Sequence, residues 1–317
     1  MQHNDLNLNG LDMKNILILF NTILIFSCCN NSKKNINDIK DYELFGDIKN
    51  IKETNYKAVE KFGEVLKEER KTIKIICFNS IGYLSEENWY HPDSTLFYKT
   101  TCMHDEKGNK IEEKHYNQSD SLIFKIIYKY NDNGKLIERI FFGTFEKYGN
   151  NTIFFKYDNK GLLVEEDWCA FDGTLNQKNK FNYNSKGNLI EVNEYESEGA
   201  LIQKKEFKYN NKGNLIKEEW YKSDGTINYN MELKYDKNGN KIAVILYNMD
   251  SSIGVVYNYK YDNKGNMIEE STSSPDGIFN NHITFNNYDK KGNWTRKIEY
   301  ENGIPKHIIE REIQYYN

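Results

Sequence analysis

The chain has 317 residues, with 43 Lys and Arg against 47 Asp and Glu and a net charge of −4. Charges of both signs interleave along its length with no basic stripe, a balance that favours neither nucleic acid nor an anionic membrane surface as partner. It holds 24 Tyr and 17 Phe but only 3 Pro, which suits a sheet whose ladders need every N–H.

Met1 to Asp12 is polar and patternless, and Met13 reads as the better initiator. Lys14, an apolar run from Ile16 to Phe26 and then Ser27-Cys28 make a secretory signal. The run is shorter than the roughly 20 residues that span a bilayer. Ile25-Phe26-Ser27-Cys28 resembles the bacterial lipobox, which implies acylation of Cys28 as the first mature residue and a membrane partner through that anchor. The reading divides the chain into an extension and signal over 1–27, a lipidated tether over 28–43, and one β-hairpin repeat domain over 44–317. Within that domain a divergent cap (44–79) precedes the repeats (80–292) and a C-terminal cap (293–317). Cys77 and Cys102 fall in comparable strands of consecutive repeats, about 9.6 Å apart in a meander, so free thiols are expected.

The first hairpin is placed around Phe62-Gly63, with a short helix over Ala58 to Arg70 as the other arrangement its apolar spacing allows. From there a beat sets in. Turn glycines stand at Gly82, Gly108, Gly134, Gly161, Gly187, Gly213, Gly239, Gly265 and Gly292, spaced by 26 or 27 residues. A second series, Gly173, Gly199, Gly225, Gly277 and Gly303, keeps the same period, with Ser251 in its vacant slot. Two turn series in one register mean one hairpin repeated, each copy burying its apolar face on the next. The expected fold is all-β: a long antiparallel sheet of repeated ~26-residue β-hairpins, about 90 Å wide if flat, and therefore coiled into a spiral or partial shell.

Side-chain columns follow from the period. Tyr130, Tyr157, Tyr183, Tyr209, Tyr235 and Tyr261 precede their Gly by four residues, Phe155, Phe181 and Phe207 by six. Ile137, Ile190, Ile216, Ile242 and Ile268 follow it by three. With a regular turn these columns share one face, backed by a face of Lys156, Lys208 and Lys260 with Glu165, Glu191 and Glu269.

The cores Tyr157-Asp-Asn-Lys-Gly161, Tyr235-Asp-Lys-Asn-Gly239 and Tyr261-Asp-Asn-Lys-Gly265 resemble the YD repeats of the RHS family, over about Cys77 to Asn317. That resemblance implies a spiralling, surface-exposed β-sheet shell, linked in some members to carbohydrate binding or cell-surface contact. Encapsulation of a C-terminal toxin is not expected, since no toxin domain is recognised in the same chain.

Chemistry is harder to find. His91, His104, His115, His282 and His307 form no metal spacing, and His104 and His115 read as structural substitutions in the Tyr and Trp/Glu columns. No nucleophile elbow or phosphate loop appears, so no catalytic residue, cofactor or metal is expected. The Glu column recurs in every unit, whereas an active site needs one special place. The feature suited to binding is aromatic. Trp89, Trp168 and Trp220, with Tyr195, Tyr221 and Tyr247, end the first strand of their units and form a candidate rim for sugar rings or a protein partner. The expectation is a non-enzymatic, lipid-anchored protein of the bacterial cell envelope, outer membrane or cell surface, binding glycan or an envelope protein. A purely structural shell or stalk is the alternative, and a carbohydrate-active enzyme a more distant one.

Overall fold

The computed structural model describes residues 38–42, 44–143, 150–263, 265–276 and 280–317; Cys28 lies outside them. Among the described residues a one-turn helix, α1 (Asp38–Asp41), precedes twenty strands. The first ten are β1 (Ile48–Lys61), β2 (Glu64–Phe78), β3 (Leu84–Tyr90), β4 (Leu96–His104), β5 (Lys110–Asn117), β6 (Leu122–Tyr130), β7 (Leu136–Gly143), β8 (Asn151–Tyr157), β9 (Leu163–Ala170) and β10 (Leu175–Tyr183). The rest are β11 (Leu189–Glu196), β12 (Leu201–Tyr209), β13 (Leu215–Lys222), β14 (Ile227–Tyr235), β15 (Lys241–Tyr247), β16 (Ile253–Tyr261), β17 (Met267–Ser273), β18 (Asn280–Tyr288), β19 (Trp294–Glu301) and β20 (Ile304–Tyr315).

Each strand pairs antiparallel with the next, and β20 returns to pair with β1, from Ile48↔Tyr315 to Lys57↔His307. The sheet is therefore a closed twenty-stranded meander barrel, not the expected spiral or partial shell. The terminal units do not cap an edge; they abolish it. β1 and β20 are long strands, so their backbones satisfy each other instead of facing solvent. The seam is also packed: Ile308 of β20 is fully buried beside Ala58 and Ile298, and Ile48 and Ile51 of β1 are fully buried too. β1 and β2 form the hairpin at Phe62-Gly63, both residues at positive φ, and not the alternative helix.

The turns show why the repeat needs its residues. Asn184 illustrates the first series: its N–H donates to the Asn188 carbonyl, and its Oδ1 accepts the N–H groups of Lys186 and Asn188 at 3.0 Å each. Gly187, at φ +82°, closes this three-residue loop in the left-handed region. In the second series Ser251 takes the glycine slot and pays the strain of φ +65°.

A bulge follows each first-series turn. Asn182 pairs with Glu191, but Tyr183 pairs with Leu189, leaving Ile190 extra. The bulge corrects the expected faces. Leu136, Leu163, Leu189 and Leu215 take the place opposite the Tyr column, while Ile137, Ile190, Ile216, Ile242 and Ile268 turn to the Lys/Glu face and stay 36–38% exposed. On the first face Phe155, Phe181, Val192 and Phe207 are buried to 8%, 3%, 2% and 5%. On the second, the Lys129, Lys156, Lys208 and Lys260 side chains are 51–64% exposed. A closed wall crowds side chains on its concave side, so the aromatic face is the inner wall and the Lys/Glu face the outer one. The Tyr hydroxyls donate back to the preceding strand, Tyr183 to the Leu163 carbonyl and Tyr235 to that of Leu215, both at 2.8 Å, stitching unit to unit.

Residues 38–42 and 44–47 lie against the inner wall at one mouth. Ile39 and Leu44 pack with Ile51, Ile76 and Phe78, and the Phe45 N–H donates to Asn293 Oδ1 at 2.8 Å. Cys77, Cys102 and Cys169 are free thiols; Cys77 and Cys102 sit two strands apart on opposite faces. We predict that Ile308→Ala lowers stability by about 2–5 kcal/mol, the cost of a cavity in a closed seam. A shift in the urea midpoint worth under ~1 kcal/mol would instead mark β20 as a free edge strand.

Candidate functional site

The inner wall carries a recurring polar set that the repeat places five and seven residues after the first-series glycine. Two residues apart on a strand share a face. Glu87 and Trp89 occupy these positions on β3, Glu166 and Trp168 on β9, Glu218 and Trp220 on β13. Each indole N–H donates to its own glutamate, at 2.7, 3.3 and 2.5 Å respectively. A cation from the preceding units lies over each ring: Lys74 at 4.7 Å from the Trp89 centroid, Arg139 at 5.9 Å from Trp168, Lys205 at 4.2 Å from Trp220. The fourth tryptophan, Trp294, has the Arg311 guanidinium over it at 3.4 Å, itself ion-paired to Glu53 at 2.7 Å.

Burial shapes the charge of these groups. It pushes the Glu166 carboxyl up, with the hydrogen bonds from Asn179 and Trp168 opposing. It also raises Glu218, against the bond from Trp220, and lowers the Lys205 ammonium. The wall thus holds tryptophans whose orientation is fixed on one side by a carboxylate and on the other by a cation.

In the unit after Gly108 the tryptophan position is His115, 3% exposed. Its Nε2 lies 2.7 Å from Glu113 Oε1, and its Nδ1 lies 2.6 Å from the Tyr98 hydroxyl and 3.1 Å from Thr100 Oγ1. Lys110 and the Tyr128 hydroxyl, at 3.1 and 3.2 Å, complete the shell around Glu113 Oε2. Hydroxyl, imidazole and carboxylate stand in hydrolase order, but the imidazole is buried and stacked on Phe124 at 4.0 Å. His104 stacks on Tyr83 at 4.9 Å, with its Nε2 3.7 Å from Asp38. Among the described residues no group of three or more His, Cys, Asp or Glu is arranged to hold a metal.

The expected rim is two rows on opposite faces. Trp89, Trp168 and Trp220 point to the inner wall. Tyr195, Tyr221 and Tyr247, one residue further along their strands or in the equivalent place, point outward and are half-buried. Lys180 covers the Tyr195 ring at 5.5 Å, and the Tyr247 hydroxyl donates to Glu232 at 3.0 Å. The Glu-x-Trp and Glu-x-His pairs were visible in the sequence as a period-2 pattern at one repeat offset; the single glutamate column drew attention to the outer face instead. At the mouth opposite residues 38–47, a cavity of about 360 Å3 is lined by Glu270, Thr272, Asn281, Glu299, Glu301 and His307, among others.

No family model matches the chain, and no curated protein matches it. Among solved structures it is similar to TcdB2-TccC3 without its hypervariable C-terminal region, at 13% identity and a TM-score of 0.40, covering 77% of this chain and 15% of that one. A porin-like protein from Bacteroides uniformis is 11% identical, at a TM-score of 0.37 and 84% and 98% coverage. A porin-like protein from Bacteroides vulgatus is also 11% identical, at a TM-score of 0.29 and 85% and 99% coverage. The chain thus spans under a sixth of the toxin chain's length, and likenesses this weak carry no argument about what it does.

Burial pushes the Glu113 carboxyl up, but the His115 hydrogen bond and the nearby Lys110 charge outweigh it and hold the group at about 2. A depressed carboxylate contributes stability above its unfolded pKa, about 4.3 for Glu, and loses it as pH falls through the folded value. Glu113→Gln is therefore expected to cost about 3 kcal/mol at pH 7. Urea unfolding at a series of pH values should show the gap to wild type closing between about pH 4 and pH 2. A gap that stays constant in acid would mean the carboxylate charge is not what stabilises this cluster.

Proposed function

We propose that the chain is a lipid-anchored, non-enzymatic protein of a bacterial cell envelope whose barrel binds glycan on its inner wall. The observation that carries this reading is the threefold recurrence of a tryptophan braced by a glutamate two residues before it and a cation over its ring. Sugar rings stack on oriented aromatic side chains, and their hydroxyls take hydrogen bonds from neighbouring carboxylates and amides. Asn179, Gln177 and Gln203 supply such amides on the same face as Trp168 and Trp220. The lipobox-like Ile25-Phe26-Ser27-Cys28 after its apolar run supports the reading of an exported, membrane-attached protein.

The outer wall supports attachment by a lipid rather than by the barrel. A membrane-embedded barrel needs an outward apolar band about 25 Å tall. Here the outward strand centres carry ion-paired charges: Lys156 meets Glu165 and Asp167 at 2.5 and 2.7 Å, and Lys204 meets Glu191 and Glu206 at 3.2 and 2.7 Å. Each such charge facing the bilayer midplane would cost about 2–4 kcal/mol.

One observation favours a purely structural shell. The Trp220 ring already has protein neighbours, Lys205 over it at 4.2 Å and the tilted Tyr229 ring at 5.0 Å. Titration of the purified protein against an oligosaccharide array, followed by calorimetry on the best binder, separates the two. Trp220→Ala is expected to weaken glycan binding at least tenfold while leaving the circular dichroism spectrum intact. Absence of any glycan ligand, or unchanged affinity in Trp220→Ala, would leave the shell reading standing and remove ours.

A further inference from the structure

The inner wall changes character between β17 and β20. The place seven residues after the first-series glycine, which Trp168 and Trp220 fill in their units, is taken by Thr272 on β17 and by Glu299 on β19. A hydroxyl and a carboxyl replace the indole, and both residues line the cavity of about 360 Å3. Small-ligand sites run from roughly 300 to 1,000 Å3. One cross-strand row crosses this part of the wall: Glu270 pairs with Ile283, Ile283 with Glu299, and Glu299 with His307. Directly opposed residues share a face, so these four side chains stand together on the inner side. The next row toward the mouth is Thr272, Asn281 and Glu301.

The carboxylates around the cavity are not equivalent. Glu299 is paired with Lys297 at 2.8 Å and Glu301 with Lys306 at 3.5 Å. His307 Nδ1 lies 3.1 Å from Asn55 Oδ1. Glu166 and Glu218, which hold the place of Glu270 in their own units, each accept an indole N–H. Glu270 has no ion pair or hydrogen bond among the described residues, yet it is half-buried and lines the cavity. Two cations against three carboxylates leave one negative charge, and it belongs to Glu270. A carboxylate drawn from water without a counter-charge costs free energy that a cation seated beside it offsets. No group of three or more His, Cys, Asp or Glu among the described residues is arranged for a metal ion. The cation that fits is therefore one that brings its own donors, as an ammonium does. An aromatic side chain is also at hand, for the half-buried Tyr257 pairs with Thr272 on the same face.

We infer that this cavity is the subsite for a protonated amino sugar, with Glu270 accepting from its ammonium. The inference rests on the glycan reading of the inner wall and names the class of sugar that the wall selects. The sugar ring takes the place of the missing indole beside Tyr257. Its ammonium donates to Glu270 as the Trp220 indole donates to Glu218. Thr272 and Asn281 meet the ring hydroxyls. The ligand is thus an oligosaccharide with free amines, and acetylation of those amines removes the charge that Glu270 recognises.

The test is calorimetry of the full chain with a glucosamine tetrasaccharide and with its N-acetylated counterpart, at about pH 6, where a primary amine is protonated. The free-amine sugar is expected to bind about tenfold tighter or more, the effect of one hydrogen bond between charged groups. Glu270→Gln keeps the shape of the side chain and should erase that preference while leaving the affinity for the acetylated sugar unchanged. Thr272→Trp restores the indole of the other units and should erase the preference by filling the cavity. Equal affinity for the two sugars, or tighter binding of the acetylated one, would overturn the amino-sugar subsite and leave the glycan reading intact. A preference that survives either variant would do the same, marking attraction to the chain's net charge of −4 and not to this cavity. Binding of neither tetrasaccharide also overturns the subsite, and only an oligosaccharide array without any ligand removes the glycan reading with it.

Discussion

The pairing of β1 with β20 is the constraint on which everything else depends. A meander of twenty strands has two edges, and each edge strand would expose a row of unpaired N–H and C=O groups. Joining them gives every strand two neighbours and gives the sheet an inside. Without that closure the aromatic face would be one side of a ribbon. With it, Phe155, Phe181, Val192 and Phe207 become the lining of a wall whose concave side crowds them together. The seam is built from the least repetitive parts of the chain. Its buried Ile48, Ile51 and Ile308 belong to the units that depart furthest from the 26-residue beat.

That departure explains what could and could not be read from the residues. The period, the strand-turn alternation and the free thiols were legible because each is local: an Asx residue three before a glycine, and alternation between turns. Ser251 could be placed in a glycine slot by counting alone, and its backbone does take the left-handed conformation. Closure was not legible, because β1 and β20 stand some 260 residues apart and nothing in either names the other. The face of the isoleucine column was misassigned for a subtler reason. Ile190 follows its glycine by three residues in any register, and only the bulge beside Tyr183 decides which way it points. The same limit divided the aromatic rim. Trp220 and Tyr221 are adjacent in sequence and belong to opposite sides of the wall.

The distribution of polarity across the wall inverts that of a membrane barrel. Charges that would line an aqueous pore stand outside, paired strand to strand across Lys156, Glu165, Asp167 and Lys178. Pairs this exposed contribute little stability each. Their larger consequence is solubility of the outer surface and a wall that lipid cannot wet. The inner wall is aromatic but not dry chemistry: Glu87, Glu113, Glu166, Glu194 and Glu218 there are each held by an indole, an imidazole, an amide or an ammonium, which is how a carboxylate persists among rings without an unpaired charge.

These buried charges also solve a problem that repetition creates. Near-identical hairpins can pair one unit out of register with little loss of apolar contact. The column five residues after each first-series glycine breaks that degeneracy, for it reads Glu87, Glu113, Arg139, Glu166, Val192, Glu218, Val244, Glu270 and Lys297. A slip by one unit would carry Lys110 and His115 along with Glu113, since all three share β5, but it would part them from the Tyr98 and Tyr128 hydroxyls that reach them from neighbouring strands. It would also take Arg139 from over the Trp168 ring. A buried polar group left unpaired costs about 1–3 kcal/mol, more than an exposed outer-wall pair contributes. The outer wall, with its recurring Lys and Glu, would accept such a slip; the inner wall does not, and so the least repetitive residues of each unit fix where the repeats stand.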